Sequence, residues 1–447
     1  MEAAPLSAVP PVPEMAKPGT DTQGPTNWDW VEASVWTDRM LAALVNGVQG
    51  GKWYSLMDKV VTPSTLEAAW RRVAANKGAA GVDGVSILRF KARAEHYLVE
   101  LERDLRQGSY QPLPARRVHI PKGKGKTRPL GISAVKDRIV QTTVKMVLEP
   151  IFEREFLPFN YGFRPGRGCK DALREVDTWL KAGYTWVVDA DLESYFDTIP
   201  KGPLLEQVSE KISDGTLLDL IQRFLDQDIL EDMRQWTPTA GVPQGSVLSP
   251  LLSNLYLHPF DDIVSQAGYK MVRYCDDFVI LCRTQAEAEA ALALAQAWTQ
   301  QHGLRLHPEK TRIVESSQAD HGSGFDFLGY RFAGGRRYVK PKSLKALRDK
   351  IRQKTGRTRS GTLDQIIAEL NPTLRGWFGY FKHAISGTFR TIDGFVRRRL
   401  RAILRKREKR PGHGRTHQDH QRWPNAFFSA HGLFTLHEAR MQASQSR

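Results

Sequence analysis

The sequence has little cysteine and no long hydrophobic run, and each absence excludes a class of protein. Its three cysteines, Cys169, Cys275 and Cys282, are too few and too scattered for a disulfide framework or a cysteine-rich zinc site. No run approaches about 18 consecutive apolar residues, so no membrane-spanning helix is expected. The N-terminus has neither the basic nor the apolar region of a secretory signal. These absences favour a reducing compartment, the cytoplasm, and no membrane partner.

Acidic residues are scarce in one long segment, and this scarcity locates the positive charge of the chain. The net charge of the 447 residues is +16. Residues 331–415 contain 25 lysines and arginines against 5 acids, a net charge of +20, which leaves −4 for the remainder. Aromatic side chains are interleaved with these charges, which indicates a folded domain. A basic domain of this kind is typical of proteins that bind a polyanion, most simply nucleic acid.

Local patterns divide the chain. Residues 1–26 are rich in proline, glycine and threonine without periodicity and are predicted to be disordered. Residues 27–61 contain four tryptophans, which predicts a small helical extension. A helix is predicted over 62–76, because a threonine at the N-cap is followed by proline at the first helical position. A strand is predicted over 304–314.

Two segments combine acids with apolar runs. Residues 274–277, Tyr-Cys-Asp-Asp, lie between two apolar runs, which predicts a β-hairpin with both carboxylates at its turn. Residues 186–192 predict a buried strand that carries Asp189 and Asp191 on one face, because strand side chains alternate. An isolated Asp-Asp pair is most often a solvated turn, but a pair held between buried strands needs another explanation.

A divalent cation supplies that explanation. Neighbouring carboxylates repel each other, and a cation between them removes the repulsion. Oxygen ligands favour Mg²⁺. One strand aspartate together with an aspartate pair can hold two metal ions about 3.5–4 Å apart, an arrangement that serves nucleotidyl transfer.

These motifs resemble those of group II intron reverse transcriptases, whose catalytic hairpin carries Tyr-X-Asp-Asp. Most members have alanine at X. Cys275 departs from that pattern, but cysteine is small and apolar, so the chemistry is expected to survive. The resemblance covers roughly residues 62–440 and includes further segments, listed here: the glycine-rich run 76–84, Asn-Tyr-Gly-Phe-Arg-Pro-Gly at 160–166, and the Pro-Gln-Gly loop at 243–245.

The resemblance implies an α+β fold, a right-hand polymerase. Fingers and palm would occupy residues 62–335, and an α-helical thumb or maturase domain that binds RNA would occupy 336–440. The sequence leaves no room for the endonuclease domain of some relatives, so a bacterial, endonuclease-lacking type is expected. The compartment would then be the bacterial cytoplasm or nucleoid.

The resemblance also implies a catalytic site. Asp191, Asp276 and Asp277 would be catalytic and would bind two Mg²⁺ ions, for which Mn²⁺ can substitute. Asp191 is chosen over Asp189 because it lies five residues before Phe196, the aromatic expected under the incoming sugar. Asp189 is then a structural acid. Phe196 would be the steric gate that excludes a ribose 2′-hydroxyl, with Tyr195 as the alternative gate.

Other contacts are implied by the same resemblance. Residues 116–132 predict a fingers hairpin with a basic glycine-containing turn. Its cations can clamp a triphosphate. The predicted nucleotide-binding residues are Lys122, Arg128, Arg116, Phe196 and Gln244, and the predicted nucleic-acid contacts are Arg164 and Arg167 for the template backbone and Arg397 and Arg401, one helical turn apart, for RNA.

The function implied is RNA-directed DNA synthesis from dNTPs on an RNA template, with a DNA primer or target DNA, joined to binding of group II intron RNA that assists splicing and mobility. One alternative is a group II-derived reverse transcriptase recruited for DNA repair or phage defence. Another is a non-enzymatic maturase with a decayed polymerase site. The intact Asp191, Asp276 and Asp277 argue against decay.

Overall fold

The computed structural model describes residues 28–123, 125–318 and 324–445; the predicted disordered segment 1–26 lies outside this part of the chain. The described residues divide into two compact units. The first contains 28–172, 190–278 and 290–311, and the second contains 173–189, 279–289 and 312–445.

Helices dominate the first three hundred residues. They are α1 (Asp38–Asn46), α2 (Met57–Val60), α3 (Pro63–Ala75), α4 (Ile87–Lys91), α5 (Ala94–Arg106), α6 (Val135–Glu153), α7 (Cys169–Lys181), α8 (Tyr195–Thr198), α9 (Lys201–Lys211), α10 (Gly215–Leu225), α11 (Ser249–Gln266) and α12 (Gln285–Gln301), with a short 3₁₀ turn at Gln49–Gly51. The helix predicted over 62–76 is confirmed, with Thr62 at its N-cap and Pro63 in its first turn.

Helix α6 forms much of the core of the first unit and positions a later loop. Most of its side chains are buried, including the polar Gln141. The Oε1 atom of Gln141 accepts hydrogen bonds from the Ser246 hydroxyl at 3.1 Å and the Val247 N–H at 2.9 Å. A buried polar side chain requires such partners, so the loop that follows the Pro-Gln-Gly sequence is fixed against this helix.

The first unit contains a four-stranded sheet with the order β2-β1-β4-β5. Its strands are β1 (Ala115–Gly123), β2 (Lys126–Ile132), β4 (Ile229–Glu231) and β5 (Arg234–Trp236). Strands β1 and β2 pair antiparallel, with Ile120 opposite Arg128. The predicted fingers hairpin is therefore confirmed.

A second four-stranded sheet has the order β6-β7-β3-β8. Its strands are β3 (Trp186–Asp191), β6 (Lys270–Tyr274), β7 (Asp277–Cys282) and β8 (Arg312–Glu315). Strands β3 and β7 each contribute residues to both units. Their interiors are buried, as the continuous apolar runs predict.

The strand predicted over 304–314 is wrong for most of its length. Only residues 312–315 form a strand, and Leu306 makes an isolated bridge to Leu192. Between them the chain turns, and the N–H groups of Lys310 and Thr311 both donate to the carbonyl of His307. Pro308 explains the break, because proline has no N–H to donate to a sheet.

The second unit contains a small sheet and a helical segment. The sheet order is β11-β10-β9, with β9 (Phe325–Phe327), β10 (Tyr330–Ala333) and β11 (Arg336–Val339). The helices are α13 (Pro341–Lys354), α14 (Leu363–Phe381), α15 (Ser386–Arg407), α16 (His417–Arg422), α17 (Asn425–Ala430) and α18 (Leu436–Gln445).

The basic segment has a core of its own. Leu370, Leu374, Phe389 and Leu400 are completely buried, and a capping box at Thr362 begins α14. This confirms that the basic segment is folded. Within the described residues, no helix is both long and apolar enough to cross a membrane.

Candidate active site

The predicted hairpin is present, with Asp276 in its turn and Asp277 as the first residue of the following strand. Strand β6 ends at Tyr274 and β7 begins at Asp277. Cys275 occupies the turn in a left-handed conformation, with φ of +63°, and is buried. Burial raises the pKa of Asp276, and the charge of Asp191 raises it further, whereas hydrogen bonds from its own backbone and the Cys275 thiol act in the opposite direction. Burial and the charge of Asp191 therefore disfavour the ionised form of Asp276, and positive charge nearby would stabilise it.

A buried polar network contacts the backbone of the turn. Arg273 and Asp261 are fully buried and form an ion pair, with Arg273 Nε 2.7 Å from Asp261 Oδ1. The same guanidinium donates to the Cys275 carbonyl at 3.0 Å and to Asn254 Oδ1 at 3.1 Å. Asn254 in turn donates to the Gly162 carbonyl at 2.6 Å. Sequence reasoning missed this network, although an arginine inside an apolar strand indicates a buried partner.

Gly162 explains why the 160–166 motif accompanies the acidic hairpin. A Cβ atom at this position would lie 2.2 Å from the backbone nitrogen of Cys275. Only glycine leaves room for the turn to approach so closely. The N–H of the next residue back, Tyr161, donates to the Arg273 carbonyl at 2.9 Å. The 160–166 motif therefore stabilises the hairpin through contacts between the two backbones.

The two strand aspartates have different partners. Asp191, at the end of β3, forms an ion pair with the Lys310 ammonium, and its carboxylate is partly exposed. Asp189 lies 3.4 Å from Arg312, and burial raises the pKa of Asp189. The sequence also gives no sign of the contact with Lys310, because Lys310 follows Asp191 by more than a hundred residues. The pairing with Arg312 is what is expected if Asp189 has a structural role.

The donor set of the site fits a divalent cation. Asp191, Asp276 and Asp277 offer only carboxylate oxygens, and the charges of Asp191 and Asp276 act against each other. Across the described residues, no group of three or more acidic, histidine or cysteine side chains is arranged as a ready metal site. Lys310 supplies positive charge to Asp191 in this arrangement.

The Pro-Gln-Gly loop is docked onto the fingers hairpin. The Gly131 N–H donates to the Gln244 carbonyl at 2.7 Å. Gly245 has φ of +106°, and a Cβ there would lie 2.4 Å from the Gly131 carbonyl oxygen. A larger residue than glycine would separate loop and hairpin.

Side chains continue this connection. Arg128 Nε donates to Gln244 Oε1 at 3.0 Å, and Gln244 Nε2 donates to both carboxylate oxygens of Asp197 at 2.9 Å. Arg128 and Gln244, both predicted to bind nucleotide, are thus in direct contact. Asp197 was missed, and the only signal in the sequence is its position directly after Phe196.

A cavity of about 320 Å³ lies beside this chain of hydrogen bonds, and Phe196, Asp197 and Gln244 line it. Tyr195 is buried, and its hydroxyl donates to the Ser253 carbonyl at 2.6 Å. The geometry therefore contradicts Tyr195 as the alternative gate, because its side chain is committed to the core. Phe196 is half-buried at the cavity wall.

The remaining fingers residues are placed only in part. Arg116 Nη2 donates to the Ala80 carbonyl at 3.0 Å, which ties β1 to the glycine-rich run. Its nucleotide contact stays a prediction. The side chain of Lys122 lies outside the described part of the structure.

The prediction that Arg164 contacts template is wrong. Its side chain is buried and pairs with Glu153, and its other donors reach the carbonyls of Leu157, Asn160 and Phe156. A guanidinium whose N–H groups all have internal partners has none left for a phosphate. Arg167 is half-exposed and donates to the Pro158 carbonyl at 2.6 Å, and its template contact stays a prediction.

The prediction that Arg401 contacts RNA is also wrong. Arg401 is buried, with Nε 2.9 Å from the Trp423 carbonyl and its guanidinium over the Phe428 ring. The segment after α15 folds back onto this side of the helix, so that a Cβ at Gly414 would lie 2.6 Å from the Arg401 Cβ. Arg397, one turn earlier, is half-exposed, and its RNA contact stays a prediction.

Two family models match separate segments of the chain. The family described as Reverse transcriptase (RNA-dependent DNA polymerase) matches residues 120–332, and the family described as Group II intron, maturase-specific domain matches residues 344–423. A chain of the Cas6-RT-Cas1–Cas2 complex is a structural neighbour at 27% identity, with a TM-score of 0.35, over 55% of this chain and 40% of that one.

Individual relatives extend the match. Protein YkfC of Escherichia coli K12 is 36% identical over 317 residues, which is 62% of this chain and 82% of YkfC. The group II intron-encoded protein LtrA of Lactococcus lactis subsp. cremoris is 34% identical over 215 residues, 48% of this chain and 36% of LtrA. Because a polymerase domain is followed by a maturase domain and YkfC is matched over most of its length, the chain belongs to the group II intron reverse transcriptase and maturase family, whose fold is a right-hand polymerase and whose activity is RNA-directed DNA synthesis.

Proposed function

We propose that Asp191, Asp276 and Asp277 are the catalytic carboxylates and that they hold two Mg²⁺ ions, with dNTPs as substrates. The observation that carries this assignment is the meeting of β3 and the β6–β7 turn, where the charge of Asp191 acts on the half-buried Asp276. Bound Mg²⁺ would activate the primer 3′-hydroxyl and neutralise the leaving pyrophosphate. The buried Arg273 network would hold the turn rigid, so that the carboxylates meet the substrate in one geometry.

The nucleotide would bind against the docked fingers and loop. Arg128 presents its guanidinium from β2 and is steadied by Gln244, which Asp197 orients. An oriented guanidinium suits the bidentate recognition of phosphate oxygens. Lys122 and Arg116 would add charge on the same hairpin, and Phe196 would close the sugar side of the cavity.

The maturase domain would bind group II intron RNA and thereby assist splicing and mobility, with a DNA primer or target DNA completing the substrate set. The segment 331–415, with a net charge of +20, overlaps the maturase match and supports this proposal. Arg397 and Arg167 are the predicted contacts that the structure leaves partly exposed. We place this activity in the bacterial cytoplasm or nucleoid, in keeping with three cysteines that are all free thiols.

Primer extension on an RNA template tests the assignment. Asp276→Ala should lower the extension rate by about a thousandfold or more, because losing a metal ligand removes several kcal/mol of transition-state stabilisation. Asp189→Asn is the matched control, because Asp189 lies on the same strand as Asp191 but pairs with Arg312. It should retain most of the activity. Equal rates for Asp276→Ala and wild type, or extension in excess EDTA, would remove these carboxylates from the mechanism.

A further inference from the structure

A large cavity of about 750 Å³ lies within the second unit, and none of its lining residues belongs to the candidate active site. Its wall comes from α7, the turn between β10 and β11 with the start of β11, the connection between α14 and α15 with the first residue of α15, and α18. The charged side chains that line it are Arg174, Asp177, Lys181, Arg336, Arg337 and Arg440.

The charge of this cavity is strongly unbalanced. Five of those side chains are cationic and only Asp177 is acidic, which gives a net charge of +4. Asp177 is shared between two of the cations, with its carboxylate 2.7 Å from the Lys181 ammonium and 3.0 Å from Arg337. Burial raises the pKa of Asp177, but the hydrogen bonds from Arg337 and Lys181 outweigh it and hold the pKa below its usual value. The acid therefore stays ionised and orients its neighbours without neutralising the cavity.

Part of the cavity is held in a fixed geometry. The Arg337 side chain is only 11% exposed, and its guanidinium lies 5.7 Å from the centre of the Phe332 ring. The Arg337 carbonyl accepts a hydrogen bond from the Ile385 N–H at 3.0 Å, which joins β11 to the start of α15. Ile385 and Ser386, at the start of that 22-residue helix, also line the cavity, and the first turn of the helix contains no acid. A helix N-terminus adds to the attraction of the arginines for an anion.

We propose that this cavity binds phosphate groups of an RNA strand. An arginine held in place by a carboxylate and a ring, as Arg337 is, suits phosphate oxygens. Among the described lining residues five are cationic, His383 carries the one ring on which a base could stack, and there is no phenylalanine, tyrosine or tryptophan. The cavity is thus built to recognise the backbone, which positions a strand without reading its sequence. The proposal rests on the proposed RNA-binding function and adds a site to it.

The test compares two double variants that each remove two positive charges. Arg336→Gln with Arg440→Gln changes the cavity, and Lys345→Gln with Lys350→Gln changes exposed lysines of α13 in the same unit. Both are measured by fluorescence anisotropy with a labelled 30-nucleotide RNA hairpin over a range of KCl concentrations. We expect the cavity variant to bind about tenfold more weakly than the lysine variant and to lose about one contact, ~0.7, from the log–log salt slope. Primer extension at saturating pre-annealed template should be equal in the two.

Three results would overturn the proposal. Equal RNA affinity in the two double variants would show that the cavity contributes only general charge. A second result is that inorganic phosphate raises the melting temperature of wild type but not of the cavity variant, while the cavity substitutions leave RNA affinity unchanged. This would show a site for free phosphate and not for RNA. The third result is a cavity variant that regains RNA affinity when Arg336 is changed to Glu instead of Gln. The group bound in the cavity would then not be an anion. Failure of the proposed RNA-binding function is distinguishable, because wild type itself would then show no salt-dependent affinity for the RNA hairpin.

Discussion

Asp137 shows at the scale of one residue how burial sets the behaviour of a carboxyl group. It is fully buried beneath the fingers, where it accepts hydrogen bonds from the Tyr110 hydroxyl at 2.6 Å and the Leu113 N–H at 3.1 Å. Burial raises the pKa of Asp137 to about 6, although the hydrogen bonds act against it. The neutral form is thus favoured in the folded protein more than in the unfolded chain.

A pH dependence of stability follows from that shift. Since the folded pKa of Asp137 is the higher one, its stabilising contribution is complete below pH 4 or so and is lost as the pH rises through about 6. Wild type should therefore lose up to about 3 kcal/mol relative to Asp137→Asn between pH 4 and pH 7. The measurement is the difference in melting temperature between the two proteins across that range. A difference that stays constant with pH would contradict the prediction.

Phe196 and Tyr195 are adjacent but have different environments, which makes sugar selection testable. Phe196→Ala should raise ribonucleotide incorporation relative to deoxynucleotide, because Phe196 lines the cavity beside Gln244. Tyr195→Phe is the control and should leave selection unchanged, while it destabilises the fold by about 1 kcal/mol through the lost bond to Ser253. Competition between matched ribo- and deoxynucleotides in primer extension measures both. Unchanged selection in Phe196→Ala would show that Phe196 is not the gate.

The sequence does not show which side chains are in contact in the folded protein. It identified the acids of the hairpin because apolar strands flank them. It could not show that Arg164 and Arg401 are buried while Arg167 and Arg397 are not, since all four have the same chemistry. Whether an arginine meets solvent depends on which distant segment covers it. Lys310 and Asp197 were missed for the same reason.

The β6–β7 turn gives a prediction at the scale of an element. Gly162→Ala should displace the β6–β7 turn, because the new Cβ would lie 2.2 Å from the Cys275 nitrogen. A displacement of about 1 Å at a catalytic group can lower a rate by about a hundredfold, and extension should fall by that order. Gly202→Ala, in α9, is the matched control because no atom lies within 4 Å of its added Cβ. Similar extension rates for the two variants would show that the turn does not depend on this contact.

Two arginines of helix α15, one turn apart, are predicted to have different roles, one in RNA binding and the other in stability. Arg397→Ala should weaken RNA binding and reduce its salt dependence, because this side chain is partly exposed in a basic helix. Arg401→Ala should instead lower stability by about 2–3 kcal/mol, since the Trp423 carbonyl and Asn425 lose a charged donor. Anisotropy titrations and thermal melts of both variants measure the two effects. The assignment fails if Arg401→Ala weakens RNA binding without any loss of stability.

Elements with a local signal were predictable, and elements defined by distant pairing were not. Helix α3 follows from a threonine cap and a proline in the first turn, and the fingers hairpin follows from two β-rich runs around a glycine turn. The strand expected over 304–314 failed because alternation alone does not reveal that Pro308 interrupts the pairing. The order β6-β7-β3-β8 arises from contacts across the chain that no local pattern contains.

At the scale of the whole molecule, charge and chemistry are carried by different parts of the sequence. Residues 331–415 have a net charge of +20, whereas the three proposed catalytic carboxylates lie in the remainder, whose net charge is −4. Each neutralised phosphate releases condensed counterion, so RNA affinity should fall with salt at a log–log slope of about −0.7 per contact. With about five contacts, the affinity should fall about a hundredfold between 50 and 200 mM KCl.

The Asp276→Ala protein, which we expect to be inactive, makes this prediction specific. It should bind the RNA hairpin with the same salt slope as wild type, because Asp276 lies outside the basic segment and faces Asp191. Wild-type extension at saturating pre-annealed primer and template should change only a few-fold over the same salt range, since docking is then complete. Anisotropy and extension rates measured in parallel give both quantities. A salt slope near zero, or a slope altered by Asp276→Ala, would show that RNA docking and catalysis use the same charges.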